Sequence, residues 1–319
     1  MYYIGVDLGG TNIAAGVVDS NYKIVVKGSV PTNAKRPADD IIKDMADLCK
    51  KLTADAGLTL DDIEYVGIAS PGAIDHVKGV VLRAENLPFE FFPIADTLKK
   101  HLPVKRVLVE NDANAAAKGE AVAGAARGVA DVIMITLGTG VGGGIIIDHK
   151  VHSGFNYTGA ELGHMIIEYN GRQCPCGNRG CWEAYSSATA LINMTREKLD
   201  ECEQKGIPTL MADIVAENGK VSGKTAFAAM KKGDTPAKEV VDMYMSYLAC
   251  GIINMINIFQ PEIFVIGGGI CNEGDNLIKP LEELVIDNTF SGRRTKTTTL
   301  KVAELGNDAG IIGGAVLGL

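Results

Sequence analysis

Residues 5–19 read GVDLGGTNIAAGVVD, and residues 134–148 read MITLGTGVGGGIIID. Laid over one another without gaps, Leu8 falls on Leu137, Gly9 on Gly138 and Asp19 on Asp148. Each stretch is an apolar run, a Leu-Gly turn, a second apolar run and an aspartate, which predicts strand–turn–strand twice over. A plan repeated within one chain implies two related domains, each offering a glycine turn.

The surrounding sequence fits an α/β chain. Strands are predicted over 2–7, 12–18, 22–29, 65–69, 105–109, 131–137, 141–147, 263–266 and about 300–303. Helical patterns follow Pro37 from Ala38 to Gly57, fill most of 186–255 with polar breaks at 205–208 and 217–224, and close the chain in LGNDAGIIGGAVLGL. The segment VENDANAAA puts Asn111 and Asp112 where a strand stops and a helix starts, with Asp112 the expected N-cap. Strands alternating with helices imply two α/β domains with a cleft between them. The expected division is 1–115 plus about 305–319 in a smaller N-terminal domain, and 116–304 in a larger one.

Composition narrows the partners. The chain has 319 residues, enough for two hydrophobic cores. Lys plus Arg is 31 against 39 Asp plus Glu, a net charge of −8, which argues against a sequence-independent grip on nucleic acid or anionic lipid. Met1 leads straight into YYIGVDL, with no basic n-region or cleavage site, and the apolar stretch 250–271 is interrupted by Asn254, Asn257, Gln260, Pro261 and Glu262. A cytoplasmic protein with no membrane partner is expected. In that compartment thiols stay reduced, and a tight cysteine cluster points to metal before disulfide.

Gly138, Gly140 and Gly143 match G-x-G-x-x-G, but Ile145–Ile147 continues as strand where a dinucleotide fingerprint needs a helix. Neither turn fits the P-loop, since no G-K-[ST] follows. A glycine turn between strands serves equally as a plain hairpin or as a nest of N–H groups for phosphate. Two matched turns, each with Thr beside Gly, favour phosphate. DLGGTN at 7–12, LGTGVGGG at 137–144 and IGGG at 266–269 resemble the actin-like ATPase (ribonuclease H-like) superfamily of sugar kinases. That resemblance implies ATP phosphates at Gly9, Gly10, Thr11, Asn12, Gly138, Thr139 and Gly140, adenosine near Gly267, Gly268 and Gly269, and Mg²⁺ associated with Asp7. One or two carboxylates suffice for a cation that keeps most of its waters. Phosphoryl transfer to a hydroxyl also needs a base. Asp112 can fill that role, its ionised form favoured by helix N-terminal N–H groups, or it can simply cap the helix.

CPCGNRGCWE at 174–183 sets Cys174, Cys176 and Cys181 at C-x-C-x4-C. This is neither a thioredoxin pair nor paired zinc-ribbon knuckles. Three thiolates need a fourth ligand to close a tetrahedral site, and His149, His152 and His164 all stand near enough in sequence. A disulfide would leave an odd thiol.

The phrase GAELGH followed by CPCGNRGCWE is similar to the signature of the ROK family (repressors, open reading frames and kinases), and the resemblance runs from the first turn to ELGNDAGIIGGA. It implies His164, Cys174, Cys176 and Cys181 as ligands of a structural Zn²⁺. It implies Asn111, Asp112, Glu161, His164 and Glu183 as the sugar-binding set, with Gly72 and Asn86 as looser sugar-side positions and Asp112 as the base. One ring nitrogen of His164 would bind the metal and the other a sugar hydroxyl. The family holds sugar kinases and sugar-responsive repressors. The repressors carry an added DNA-binding domain for which a first strand at Tyr2 leaves no room, and a sensor without catalysis is disfavoured by Asp7, both turns and Asp112. Among kinases VENDANAAA, LGTGVGGGIII and LGNDAGIIGGA look most like the family's bacterial glucose-phosphorylating members, with N-acetylmannosamine as the alternative acceptor. The resemblance further implies a homodimer.

Overall fold

Leu8 and Ile13 face each other across the first glycine turn, and from there the chain zips up in register. In the computed structural model, which describes residues 1–319, β1 (Tyr2–Leu8) pairs antiparallel with β2 (Asn12–Asp19) from Leu8↔Ile13 to Tyr2↔Asp19. The Asp19 carboxylate accepts the N–H groups of Asn21 and Lys23. That turn delays β3 (Ile24–Pro31) by two residues relative to the predicted start at 22.

The chain continues through α1 (Ala38–Asp55), β4 (Ile63–Ser70), β5 (Ala73–Asp75), β6 (Val80–Arg83), β7 (Glu90–Phe92), α2 (Ile94–His101), β8 (Val107–Asn111) and α3 (Asp112–Ala123). Next come β9 (Val132–Leu137), β10 (Val141–Ile147), β11 (Lys150–Val151), α4 (Glu183–Ser186), α5 (Ala188–Lys205), α6 (Leu210–Asn218), α7 (Thr225–Met230) and α8 (Thr235–Phe259). The chain ends with β12 (Ile263–Gly267), α9 (Asp275–Asn288), β13 (Thr299–Val302) and α10 (Ala309–Ala315). Two five-stranded sheets have the orders β3-β2-β1-β4-β8 and β11-β10-β9-β12-β13, and β5-β6-β7 form a third, small sheet.

The first unit comprises Met1–Val132, Gly144–Ala160 and Ala303–Leu319. The expected boundary at 115/116 falls inside α3. That helix belongs wholly to the first unit, because it packs on α10, whose glycines allow close approach. One face of the mixed sheet buries Ile4, Val6, Leu8, Ile13, Ile68 and Val109 against Ile41, Ile42, Met45 and Leu98 of α1 and α2. The other face takes α10. A Cβ on Gly67 of β4 would sit 1.9 Å from the Gly314 carbonyl, so the small residues of the C-terminal run are needed where strand and helix backbones meet.

The second unit comprises Ile133–Gly143 and Glu161–Val302. Within it β12 and β13 pair in parallel, and α5, α7 and α9 pack on α8. By length and composition α8 could cross a membrane, but half of its apolar window is buried in the protein. Val240, Tyr244, Leu248, Gly251, Ile252 and Met255 form the buried stripe at helical spacing.

Candidate active site and metal centre

In the first unit, strand β8 gives way to helix α3 at Asn111, and this residue, not Asp112, is the N-cap. Its Oδ1 accepts the N–H groups of Ala113 at 3.0 Å and Asn114 at 3.1 Å. The strand runs through Asn111, so Asp112 is already helical. The cap is thereby supplied by a neutral amide, and the Asp112 side chain lies exposed with Oδ1 accepting from the Ala113 N–H. Desolvation by the surrounding protein raises the Asp112 carboxyl above its ordinary value and outweighs the N–H bonds that lower it. The N–H bonds at the helix start act in the expected direction, and desolvation acts against them.

Asn111 Nδ2 donates to the carbonyl of Gly72 at 3.0 Å, which ties the SPGAID loop to the cap. Glu110, unread in the sequence, sits beneath. Its Oε1 accepts the Asn111 N–H at 2.8 Å and Asn114 Nδ2 at 3.2 Å, and its Oε2 lies 3.5 Å from His76 Nδ1. The signal was a carboxylate in an otherwise apolar strand, VLVEN.

The Asp7 carboxyl is pushed up to about 6, first by burial and then by the negative charge of Asp112. Gly310 backs it closely: a Cβ there would come within 2.4 Å of Asp7 Cγ. The first turn is closed by Gly9 N–H to Asn12 O at 2.9 Å, with Gly10, Thr11 and Asn12 exposed. Thr32 fastens it from the end of β3. The Thr32 hydroxyl donates to Gly9 O at 2.6 Å, and its N–H to Thr11 O at 2.8 Å. Asn86 lies beside Gly10, whose Cβ, if present, would be 3.4 Å from that of Asn86.

In the second unit, the turn 138–140 is closed by Gly138 N–H to Gly140 O at 3.0 Å. Gly140 is pressed against Glu183: a Cβ there would stand 2.2 Å from Oε2, the oxygen that accepts the Val141 N–H at 2.9 Å. Gly268 has φ 105° and lies against Leu137, where a Cβ would be 2.2 Å from the carbonyl. That contact brings Gly267–Gly269 beside the second turn. Glu161 precedes a single 3-10 turn, Leu162–His164, that His164 ends.

Cys174, Cys176, Cys181 and His164 come together, and neither His149 nor His152 joins them. Their four ligand atoms lie within 4.8 Å of one another. His164 Nδ1 is 3.7 Å from Cys174 Sγ, and Cys176 Sγ is 3.6 Å from Cys181 Sγ. A tetrahedral ion with arms of about 2.3 Å to sulfur and 2.0 Å to nitrogen has edges of roughly 3.8 Å and 3.6 Å, so the residues fit a metal. The sulfurs are too far apart for a disulfide, which needs about 2.05 Å. Because Nδ1 faces the sulfurs, Nε2 is the nitrogen left for other work. Trp182, next to Cys181, anchors the loop: it is fully buried against Gly251 of α8 and donates Nε1–H to Tyr247 O at 3.1 Å.

Strand–turn–strand units carrying glycine turns, a carboxylate at a helix start and a three-thiolate, one-imidazole cluster define the class. The ROK family model matches residues 3–319, and the chain belongs to that family. It is 38% identical over 316 residues to a glucokinase of Thermotoga maritima, spanning 98% of this chain and 95% of that protein. A glucokinase of Halalkalibacterium halodurans is 35% identical over 317 residues, spanning 99% and 94%. Among solved structures, a ROK family glucokinase from Streptomyces griseus in complex with glucose and AMPPNP superposes with a TM-score of 0.79 at 33% identity, covering 99% of each chain.

Proposed function

We propose that the chain is an ATP-dependent glucokinase that transfers the γ-phosphoryl group of ATP to the 6-hydroxyl of glucose. The observation that carries this reading is the pairing of near-full-length identity to two glucokinases with a carboxylate, Asp112, set on a capped helix start beside Asp7. Asp112 takes the hydroxyl proton as the sugar oxygen attacks phosphorus. A carboxyl raised toward the working pH suits a general base. Asn111 contributes its remaining amide N–H to the sugar, while Gly72 and Asn86 line the same side. In the second unit Glu161, Glu183 and His164 Nε2 read further hydroxyls. A carboxylate offers about four acceptor sites, so Glu183 can serve the sugar while it holds Val141.

The glycine turns at Gly9, Gly10, Thr11 and Asn12 and at Gly138, Thr139 and Gly140 bind the phosphates, Gly267–Gly269 receive the adenosine, and Asp7 orients the waters of nucleotide-bound Mg²⁺. Zn²⁺ suits the donor set of Cys174, Cys176, Cys181 and His164 and, when bound, supplies structure only, since four protein ligands leave no open position. The chain's own contribution there is to fix the tautomer of His164 and aim Nε2.

The test is ADP release by the purified protein with ATP and Mg²⁺ against glucose, N-acetylmannosamine, N-acetylglucosamine, fructose and no sugar. Release highest with glucose is expected. Preference for N-acetylmannosamine would replace the acceptor, and sugar-independent or absent release would refute the kinase reading.

A further inference from the structure

The loop that holds the metal cluster continues directly into the segment that holds the second glycine turn. Glu183 stands two residues after Cys181. Its carboxylate spans the two features, with Oε1 3.7 Å from Cys174 Sγ and Oε2 accepting the Val141 N–H at 2.9 Å. Five and six residues further on, the Ala188 N–H donates to Gly138 O at 2.9 Å and the Thr189 hydroxyl to Thr139 O at 2.8 Å. Gly138 O, Thr139 O and Val141 N–H are therefore all fixed from 183–189.

The segment joins the cluster at Cys181, while Tyr185, Ser186 and Ser187 are buried and Tyr244 donates its hydroxyl to Ser186 O at 2.7 Å, so the cluster sets its N-terminal end. Cys176 and its neighbours 175–179 are exposed, and between Cys174 and Cys181 the chain buries only Gly180. An apolar core cannot hold so polar a loop. On its C-terminal side the anchor is Trp182, and from there Glu183 opens α4.

We infer that the metal cluster positions the second glycine turn as well as the sugar-reading groups, acting through Glu183, Ala188 and Thr189, so that metal loading sets nucleotide affinity. This rests on the reading of turn 138–140 as a phosphate turn. Ala188 and Thr189 are positioning residues. They touch the turn's carbonyls, and their bonds decide where its N–H groups point.

Ala188→Pro disturbs the turn from α5 without touching the cysteine loop. Ala188 is the first residue of α5, where proline is tolerated, and Ser187 before it has φ −71° and ψ 164°, the extended backbone that a following proline requires. The substitution removes the donor to Gly138 O, sets the ring Cδ against that carbonyl, and so shifts the turn while all four metal ligands stay in place. Calorimetric titration with Mg·ADP, without sugar, should be run on the metal-loaded protein, on protein stripped by a chelator, and on loaded Ala188→Pro. We expect stripping to weaken ADP binding at least tenfold. Ala188→Pro should lose about tenfold with its metal-to-protein ratio and glucose affinity kept. Thr189→Val should lose about threefold and Thr189→Ser regain it, in line with one exposed hydrogen bond.

If stripping unfolds the chain, the loss of its thermal transition will show it, and the two α5 variants then decide. ADP affinity within twofold of the loaded wild type in both Ala188→Pro and Thr189→Val overturns the inference. So does unchanged affinity in stripped protein that keeps its transition. Absence of ADP binding by the loaded wild type would instead refute the phosphate reading, and this inference with it.

Discussion

The two glycine turns begin from the same sequence plan and are fastened in different ways. The turn at 9–12 is held from the end of β3, its neighbour in the sheet, by the N–H and hydroxyl of Thr32. Sheet formation alone brings these groups together, since Asn12 pairs with Pro31 in the β2–β3 ladder. The turn at 138–140 is held from residues 183–189, across more than forty positions and past a cysteine loop with little core of its own. One turn is tied to the strand beside it, and the other to a helix start that follows the cysteine loop. A repeated motif thus need not mean a repeated dependence.

The largest expected effect tests whether chemistry and turn geometry are separate. Asp112→Asn keeps the shape of the helix start, because the cap belongs to Asn111. It should lower kcat by about 10²–10⁴-fold, the usual worth of a general base, while ADP and glucose titrations stay near wild type. Wild-type turnover would end the base assignment. Loss of nucleotide binding would show that the first turn leans on Asp112 and is less self-sufficient than its sheet suggests. Cys176→Ser comes next and strikes only the second region. Metal analysis should find the ion lost, with glucose affinity falling about tenfold or more, as expected when a metal ligand's support is removed. A normal metal content would sink the ligand assignment.

Asp7 gives a smaller effect with a pH signature. Its carboxyl is raised from 3.8 to about 6, so the folded chain takes up a proton that the unfolded chain does not. Stability therefore falls as pH rises through that window, and the cost is fully present above it. Asp7→Asn should remove this slope and raise stability at pH 7, on the order of 1 kcal/mol once solvent screening of the half-buried group is allowed for. Thermal melts at several pH values between 3.5 and 7, steps of roughly half a unit, will show it. A slope unchanged by the substitution would place the raised group elsewhere.

Much of this was legible in the sequence, and what was missed shares a cause. Residues 141–147 form the strand their pattern predicts, and the polar breaks at 205–208 and 217–224 take in the ends of α5 and α6 and the links that follow them. Periodicity and turn residues are local signals. The small sheet of β5, β6 and β7 escaped because its strands run three or four residues, too short for alternation to register. Helix α9 went unread, with Pro280 inside it. At the site, spacing made His164 the nearest candidate, but only family resemblance grouped it with the cysteines, since His149 and His152 stand near enough in sequence to compete. The bond from Val141 to Glu183 was invisible, because a contact between residues 42 positions apart leaves no spacing to read, whereas the Glu110 clamp on Asn111 is local and its carboxylate stood in an apolar strand.

Thr32→Val is the smallest change and the sharpest probe of the contrast. Valine keeps the β-branched shape at a fully buried position and loses only the hydroxyl that donates to Gly9 O at 2.6 Å. The backbone bond from the Thr32 N–H to Thr11 O survives, so the turn should loosen without opening. A net hydrogen bond is worth about 1 kcal/mol, and the surviving bond shares the load, so ADP affinity should fall about threefold. The deciding quantity is the ratio of that loss in metal-loaded and chelator-stripped protein. If the first turn is governed by its sheet, Thr32→Val costs the same factor in both, whereas Thr189→Val costs its factor only while the metal loop is ordered. Equal metal sensitivity at the two threonines would mean that the cysteine loop governs both turns, and the contrast between them would vanish.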